Sequence, residues 1–442
     1  MRELAYDIVC GTLEGEGHSD ELLHTVFRKY TDLSPQQKRF LKNLSYGTIE
    51  RCIELDAILN QYSRVQVHKM EQPVRTALRM ALYEIRYMDQ VPESASCNEA
   101  VELVKKKGAG RYASFVNGVL RTLVRQKDSI EVKKDWVKLS LPKELMEHLT
   151  AGYGKKTAGK IGKAFLEHHG EVTLHIRTDR ITVADYGKKL EEAGMSYYAG
   201  HYHKDALILE NASDIRELPG YEEGLFFVQD ESSMLPVLCA GIQPGYTVID
   251  VCSAPGGKAM HALMELEGKG RLLARDLGKG KVSRIKENME RMQFTNVVVQ
   301  AWDAVRTDLA YREKADVVIA DVPCSGIGII GRKPEIKYHA LEQAATLIPL
   351  QRRICQASAE LLKPGGVMIF STCTVNHAEN EENVQWMEEI LGLMRESLDG
   401  YLPEELCNKM TSQGMLQMLP GIQKSDGFFV ARLRKPCTDG GR

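Results

Sequence analysis

From Gly245 onward the chain alternates strand and helix patterns, and no other feature constrains its fold as much. The apolar runs TVIDV, RLLAR, NVVVQA, DVVIAD and GVMIFST each read as a strand. Helical periodicity separates them in HALMEL, VSRIKENMERM and a long stretch ending at LLK. Short apolar strands joined by helices predict a doubly wound α/β sheet, parallel in most of its strands. Ligands of such sheets bind beyond the C-terminal ends of the strands, so the residues at those ends carry the functional argument.

The remainder is built differently. At 442 residues the chain exceeds what one hydrophobic core supports, and two to four domains are expected. Residues 1–130 read as helices only, with apolar residues at three- and four-residue spacing in LLHTVFRKY, KRFLKNLSYGTIE and VRTALRMALYEIRYM. Ser34-Pro35 supplies an N-cap and first helical residue, and Pro73 begins another helix. ASFVNGVLRTLVRQK closes this bundle as an amphipathic helix with Arg121, Arg125 and Lys127 on its polar side. A helical linker, rich in Gly and Lys, spans residues 131–170. Residues 171–235 form a small α+β module, with strands in VTLHIRT, ALILE and GLFFVQD and a helix in DYGKKLEEAG. The α/β domain fills residues 236–442, which makes the protein multidomain.

With 43% hydrophobic and 27% charged residues, the composition is that of an ordinary globular protein. The N-terminus has charges at its second and third residues and no apolar signal region, and no apolar window reaches the length of a membrane span; a soluble, cytoplasmic protein is expected. Ten cysteines without a C-x-x-C pair argue against a zinc ribbon and for reduced thiols. HYH at residues 201–203 and His168-His169 lack a third ligand at recognisable spacing, so these histidines are expected to be exposed and no metal site is expected. The net charge is only −2, yet residues 101–190 carry 19 Lys/Arg against 10 Asp/Glu. Such a band suits a phosphate-bearing partner; a solvated helix face accounts for it equally well.

At the strand ends, DVCSAPGGKA places Asp250 at the close of the first strand and Gly256-Gly257 at the start of a helix. The glycines allow close backbone approach to a ligand, but no third spaced Gly completes a dinucleotide fingerprint. Asp276 ends the second strand, at the separation from Gly256 where an acid commonly binds ribose hydroxyls. Asp303, in AWDA, ends the third strand and is placed to accept from an adenine amino group, although either acid could equally be a helix N-cap. Together they favour a nucleoside cofactor without pyrophosphate, a description that S-adenosylmethionine fits.

Two thiols meet the same edge. Cys324 follows the strand ending at Asp321, and Cys373 ends a later one in FSTCTV. A thiolate that adds to C6 of cytosine makes C5 nucleophilic enough to take a methyl group. A free thiol with a pKa near about 8.5 is mostly protonated at neutral pH and needs help from its surroundings. Asp321 is suited to hold the base, and a second group is needed to assist release. Spacing alone leaves open which thiol attacks.

These motifs, DVCSAPGGK, DVPCSGIGIIGRKPEIKY, LKPGGVMIFSTCTV and DGFFVARL, resemble those of the RNA cytosine-C5 methyltransferases. LSPQQKRFLKNLSYGTIER and FVNGVLR in the helical region resemble a NusB-like RNA-binding domain. VQDESS, residues 228–233, resembles the family's entry into its catalytic domain. The resemblance implies a Rossmann-like, S-adenosylmethionine-dependent methyltransferase domain, with Cys373 as nucleophile, Cys324 assisting product release and Asp321 positioning the base. It places the methyl donor against Cys252, Ser253, Ala254, Pro255, Gly256, Gly257, Lys258, Asp276, Asp303 and Asp321. It further implies 16S (small-subunit) ribosomal RNA as substrate, bound by the basic helices and the α+β module, for a monomer that acts in rRNA processing. Two departures from the family, Ala259 in place of Thr and Val322 in place of Ala or Pro, touch no proposed catalytic atom. A transfer-RNA methyltransferase of the same chemistry and an inactive ribosome-assembly factor are the rival expectations.

Overall fold

The computed structural model describes residues 1–167, 171–210 and 214–437. Its chain divides into two compact units, Met1–Glu167 with Ile330–His339, and His168–Ile329 with Ala340–Arg442.

The first unit is helical. Ser34 caps the helix Pro35–Glu50 through a reciprocal capping box, its Oγ accepting from the Gln37 N–H while Gln37 accepts from the Ser34 N–H. In Gln72–Tyr87 the residues Val74, Ala77, Leu78, Ala81, Leu82 and Ile85 are buried at helical spacing and form the centre of the core. Each fully buried leucine there contributes about 2 kcal/mol. Gly47 lets the Pro35–Glu50 helix lie against this one, because a Cβ at that position would overlap the Tyr83 ring. Gly154, at φ +77°, breaks the helical path within Lys143–Leu166.

This unit also takes in the segment Ile330–His339, which follows the Cys324 loop in sequence. Glu335 accepts from the Ser19 N–H at 3.2 Å and from Ser19 Oγ at 2.9 Å. Tyr338 Oη donates to the Ile49 carbonyl, and the buried Lys337 ammonium donates to the Glu50 carbonyl.

The second unit holds two sheets. The smaller is antiparallel, in the order β2-β3-β1-β4, with β1 Val172–Ile176, β2 Tyr197–Ala199, β3 Ala206–Leu209 and β4 Phe226–Val228. The helix Val183–Glu192 covers one face, packing Tyr186 and Leu190 on Leu174, Ile176, Leu207 and Phe226. Strand alternation turns His175 and Phe227 to the other face; Phe227 joins the core of the larger sheet.

That sheet contains β5 Thr247–Asp250, β6 Arg271–Asp276, β7 Val297–Ala301, β8 Ala315–Asp321, β9 Leu362–Thr372, β10 Met394–Arg395, β11 Met415–Met418 and β12 Phe428–Arg434. Its order is β10-β12-β9-β8-β5-β6-β7, with β11 paired to β12. Strands β5 to β9 are parallel, and β10, β11 and β12 add antiparallel pairs. Val317 and Ile319 of β8 face a core shared with Leu235, Met260 and Leu263, while Val318 and Ala320 face Ile354, Leu361 and Met387. Burial on both faces explains why these strands are continuous apolar runs. The order runs outward from β5 through β6 to β7 and, on the other side, through β8 to β9. The switch point therefore lies between Asp250 and Asp321, where open α/β sheets bind ligands. Among the described residues no helix is long and apolar enough to cross a membrane.

Candidate active site

The turn after β5 runs beneath the end of β6. Asp276 accepts from the Ala254 N–H at 2.9 Å and from the Leu277 N–H at 2.7 Å, so one carboxylate shapes both loops. Gly256, at φ +111°, leads into the helix Gly257–Glu265 and needs the freedom of glycine. Asp303 lies two residues beyond β7, where it accepts from the Val305 N–H at 3.2 Å and faces Arg306. It closes a turn rather than capping a helix, since no described helix begins there.

Asp321, at the end of β8, is held by two contacts. Lys258 Nζ, from the cofactor turn, lies 2.7 Å from Oδ2, and Ser371 Oγ of β9 donates to Oδ1 at 2.7 Å. Lys258 is thus engaged with the carboxylate expected to hold the base.

Asp250 is different. Both of its carboxylate oxygens are buried and neither has a hydrogen-bond partner, and the same is true of the nearby Ser253 Oγ. Burial, with the neighbouring Asp321 adding to it, pushes the Asp250 pKa up to about 7 against the lowering pull of Ser253, Lys258 and the Cys252 N–H, none of which reaches the carboxylate in hydrogen-bond geometry. Cys252 lies among Asp250, Asp276 and Asp321, and burial together with these carboxylates raises its thiol well above the usual range. It is therefore no nucleophile. Three acids, of which Asp321 pairs with Lys258, Asp276 with Lys281 and Asp250 with no cation among the described residues, form a setting that fits a cationic ligand, as the sulfonium and ammonium of S-adenosylmethionine require.

Cys324 and Cys373 come together at the ends of β8 and β9, with their sulfurs 3.2 Å apart and both side chains partly exposed. Either sulfur could donate in this contact. The hydrogen bond to Cys373 is the largest influence raising the Cys324 thiol far above its ordinary pKa; burial and Glu379 add to it. That direction keeps the proton on Cys324.

Glu379 was hidden in the sequence within an acidic run, and it is fully buried beneath the two thiol loops. Its carboxylate accepts from the Ser325 N–H at 2.8 Å, Ser325 Oγ at 2.5 Å, Gln351 Nε2 at 3.0 Å and Asn376 Nδ2 at 3.0 Å. Ser325 Oγ also meets Thr374 Oγ1 at 2.9 Å, tying the residue after Cys324 to the residue after Cys373. Gly328 donates to the Cys373 carbonyl at 3.1 Å and accepts from the Gly427 N–H at 2.9 Å, a backbone approach that a Cβ would prevent.

One expectation needs correction. His203 of the HYH stretch is buried rather than exposed, against His175 and His261; the third partner comes from a distant element, which spacing could not reveal. His168 and His169 lie outside the described residues. Within the basic band some of the side chains have partners. Lys105 pairs with Glu102 at 2.7 Å, Lys106 pairs with Glu3, and Arg121 Nε donates to Asn117 Oδ1.

Comparison with known proteins gives this geometry its family. The model of the 16S rRNA methyltransferase RsmB/F family matches residues 238–434, the NusB family model residues 1–125, and the RsmF/B-like ferredoxin-like domain residues 141–216. The probable ribosomal RNA small subunit methyltransferase B of Bacillus subtilis (strain 168) is 33% identical over 445 residues, covering 98% of both chains. The chain belongs to the RsmB/F family of 16S rRNA methyltransferases. Among solved structures, PH0851 superposes with a TM-score of 0.82 at 22% identity, covering 98% of this chain and 99% of that one. NSun6 from Pyrococcus horikoshii, solved with the S-adenosylmethionine analogue SFG, gives 0.61 at 22% identity over 66% of this chain and 98% of its own. Both likenesses concern the fold. As an RsmB/F methyltransferase the protein uses S-adenosylmethionine, and the unpartnered Asp250 at the switch point is the structural feature that suits that cofactor.

Proposed function

We propose that this RsmB/F family member methylates C5 of a cytosine in small-subunit ribosomal RNA through a transient bond between Cys373 and C6. The observation that carries this reading is the 3.2 Å approach of two thiols at the sheet edge where Asp250 lacks a partner. Bound there, S-adenosylmethionine supplies an electrophilic methyl group. Cys252 to Lys258 and Asp276 line the donor side, with Asp303 beyond the neighbouring strand. Asp321, held between Lys258 and Ser371, is oriented to accept from the exocyclic amine of the base. The Cys373 thiolate adds to C6, and the electron pair of the C5–C6 bond becomes available at C5, which takes the methyl group. The C5 proton then leaves to water, the double bond re-forms and the C6–S bond breaks. Cys324, which retains its proton, donates to the departing Cys373 sulfur. A cytosine within a duplex is out of reach of these groups, so the target is unpaired or flipped.

Substituting each thiol tests the assignment. Cys373→Ala should lower methyl incorporation by on the order of 10³-fold or more and form no adduct. Cys324→Ala should accumulate a protein–RNA adduct visible on a denaturing gel. A Cys373 variant that still methylates, or a Cys324 variant that turns over freely, would overturn the scheme. Labelled-methyl incorporation into small-subunit ribosomal RNA and into transfer RNA, run side by side, separates the rRNA substrate from its rival; no incorporation into either would leave the assembly-factor reading.

A further inference from the structure

Three buried histidines meet away from the thiols. His175 is next to the last residue of β1, His203 is in the turn before β3, and His261 is one turn beyond Lys258 on the helix Gly257–Glu265. Their ring centroids are 4.4 to 5.2 Å apart, and the ring planes cross at 61° to 88°. One ring nitrogen from each lies within 4.8 Å of the others. His175 and His261 have no exposed surface and His203 has 5%.

One of the rings, His175, is hydrogen-bonded as a ligand would be. His175 Nδ1 meets Gln229 Oε1 at 3.0 Å, and Gln229 is oriented by donating its Nε2 to the Ser233 carbonyl. That contact puts the His175 proton on Nδ1 and leaves Nε2 as a buried lone pair without a partner. A ring nitrogen whose opposite nitrogen is anchored in this way is the usual state of a metal-binding imidazole. At His261 neither nitrogen has a hydrogen-bond partner, and Glu265 Oε1 stands 3.7 Å from Nε2. An imidazole with its ordinary pKa near about 6.5 is mostly neutral at neutral pH, so a ring lone pair is available to a metal.

We propose that His175, His203 and His261 bind a zinc ion that clamps the small sheet to the helix leading out of the cofactor turn. Three neutral imidazoles suit a borderline divalent cation, and zinc accepts them in tetrahedral geometry. Bonds of about 2.1 Å require ligand nitrogens about 3.4 Å apart, so the rings draw closer on binding. His203 gives up the bond that its Nδ1 accepts from the Asp205 N–H. Carboxylates close to the cluster offset the charge of the ion. Glu265 is beside His261, Asp205 is beside His203, and the buried Glu231 accepts from the backbone N–H groups of His201, Tyr202 and His203. The fourth ligand is a water or one of these acids. Because Lys258 and His261 share one helix, the ion fixes that helix behind the methyl-donor turn without entering the reaction.

The test uses the full chain. After exchange through a weak chelator and resupply of zinc, elemental analysis should find about one zinc per chain retained through gel filtration. Zinc at about 100 times its Kd should raise Tm by roughly 5 °C. His175→Gln and His203→Gln should each lose both the ion and the shift. If these variants do not fold, cobalt in the unaltered protein decides: tetrahedral visible bands without sulfur-to-metal charge transfer support the three histidines, and charge transfer locates the ion on cysteines and overturns the proposal. A folded protein that retains no zinc, or histidine variants that retain it, overturns it equally.

Discussion

Asp250 is a strand terminus whose side chain is placed for binding at the expense of stability. Its carboxylate is buried without a partner, and its pKa rises to about 7. An acid with a native pKa above its unfolded value binds its proton more tightly in the folded state. Its contribution to stability therefore declines as pH rises from about 4 to about 7 and stays unfavourable above that window. Three pKa units correspond to about 4 kcal/mol. In denaturant titrations of the ligand-free protein, Asp250→Asn should be more stable than the unaltered chain by on the order of 2–4 kcal/mol near about pH 8, and the difference should close near about pH 4. Calorimetry should show the same variant binding S-adenosylmethionine at least about tenfold more weakly, a loss of about 1.4 kcal/mol. Equal stability near about pH 8 would mean that the carboxylate is not held at a cost. The strand end itself was readable in TVIDV because the apolar run stops on a charge. The missing partner was not readable, since it depends on what the loops after β6 and β8 bring near.

The same contrast holds for whole elements. Strands β5 to β9 were legible because burial on both faces makes each one a continuous apolar run, and the helix over Pro35–Glu50 was legible from its cap. Strands β2, β10, β11 and β12 were missed: YYA and Met394–Arg395 are too short to carry a pattern and exist through the strands they pair with, and Phe428–Arg434 was noted only within the DGFFVARL motif. Glu379 shows why composition misleads at this scale. It belongs to an acidic run ahead of the helix Glu381–Leu391, yet the loops that follow β8 and β9 close over it and supply four hydrogen bonds. Glu379→Gln replaces one acceptor with an NH2 group facing Ser325 or Asn376, leaving a buried donor against donors, at about 1–3 kcal/mol. Because those loops carry Cys324 and Cys373, the substitution should lower kcat by roughly 10- to 100-fold, with KM for S-adenosylmethionine little changed. A fall in donor affinity with unchanged kcat would show that Glu379 serves the cofactor turn rather than the spacing of the thiols.

For the molecule as a whole, order along the chain and order in space part company. Ile330–His339 continues the thiol motif in sequence but packs within the helical unit, through Glu335 on Ser19 and Tyr338 on Ile49; no periodicity announces such an excursion. Charge behaves similarly. A net charge of −2 conceals the basic band of residues 101–190, and in the structure acids from elsewhere in the helical unit, such as Glu3 beside Lys106, meet part of it. Exposed pairs of this kind contribute little to stability and re-form readily with phosphate, so pairing does not remove these side chains from RNA binding. Replacing Lys105, Lys106 and Arg121 together by Glu should hardly alter thermal unfolding, while it frees Glu102 and Glu3 to repel the RNA backbone. If the three cations each meet a phosphate, the slope of log affinity against log salt should become shallower by roughly 2 to 3, at about 0.7–0.9 per contact. The loss should be similar for different RNA sequences, because phosphate contacts position the chain without reading bases. An unchanged slope would exclude this face of the helical unit and shift the search for RNA contacts to the antiparallel sheet.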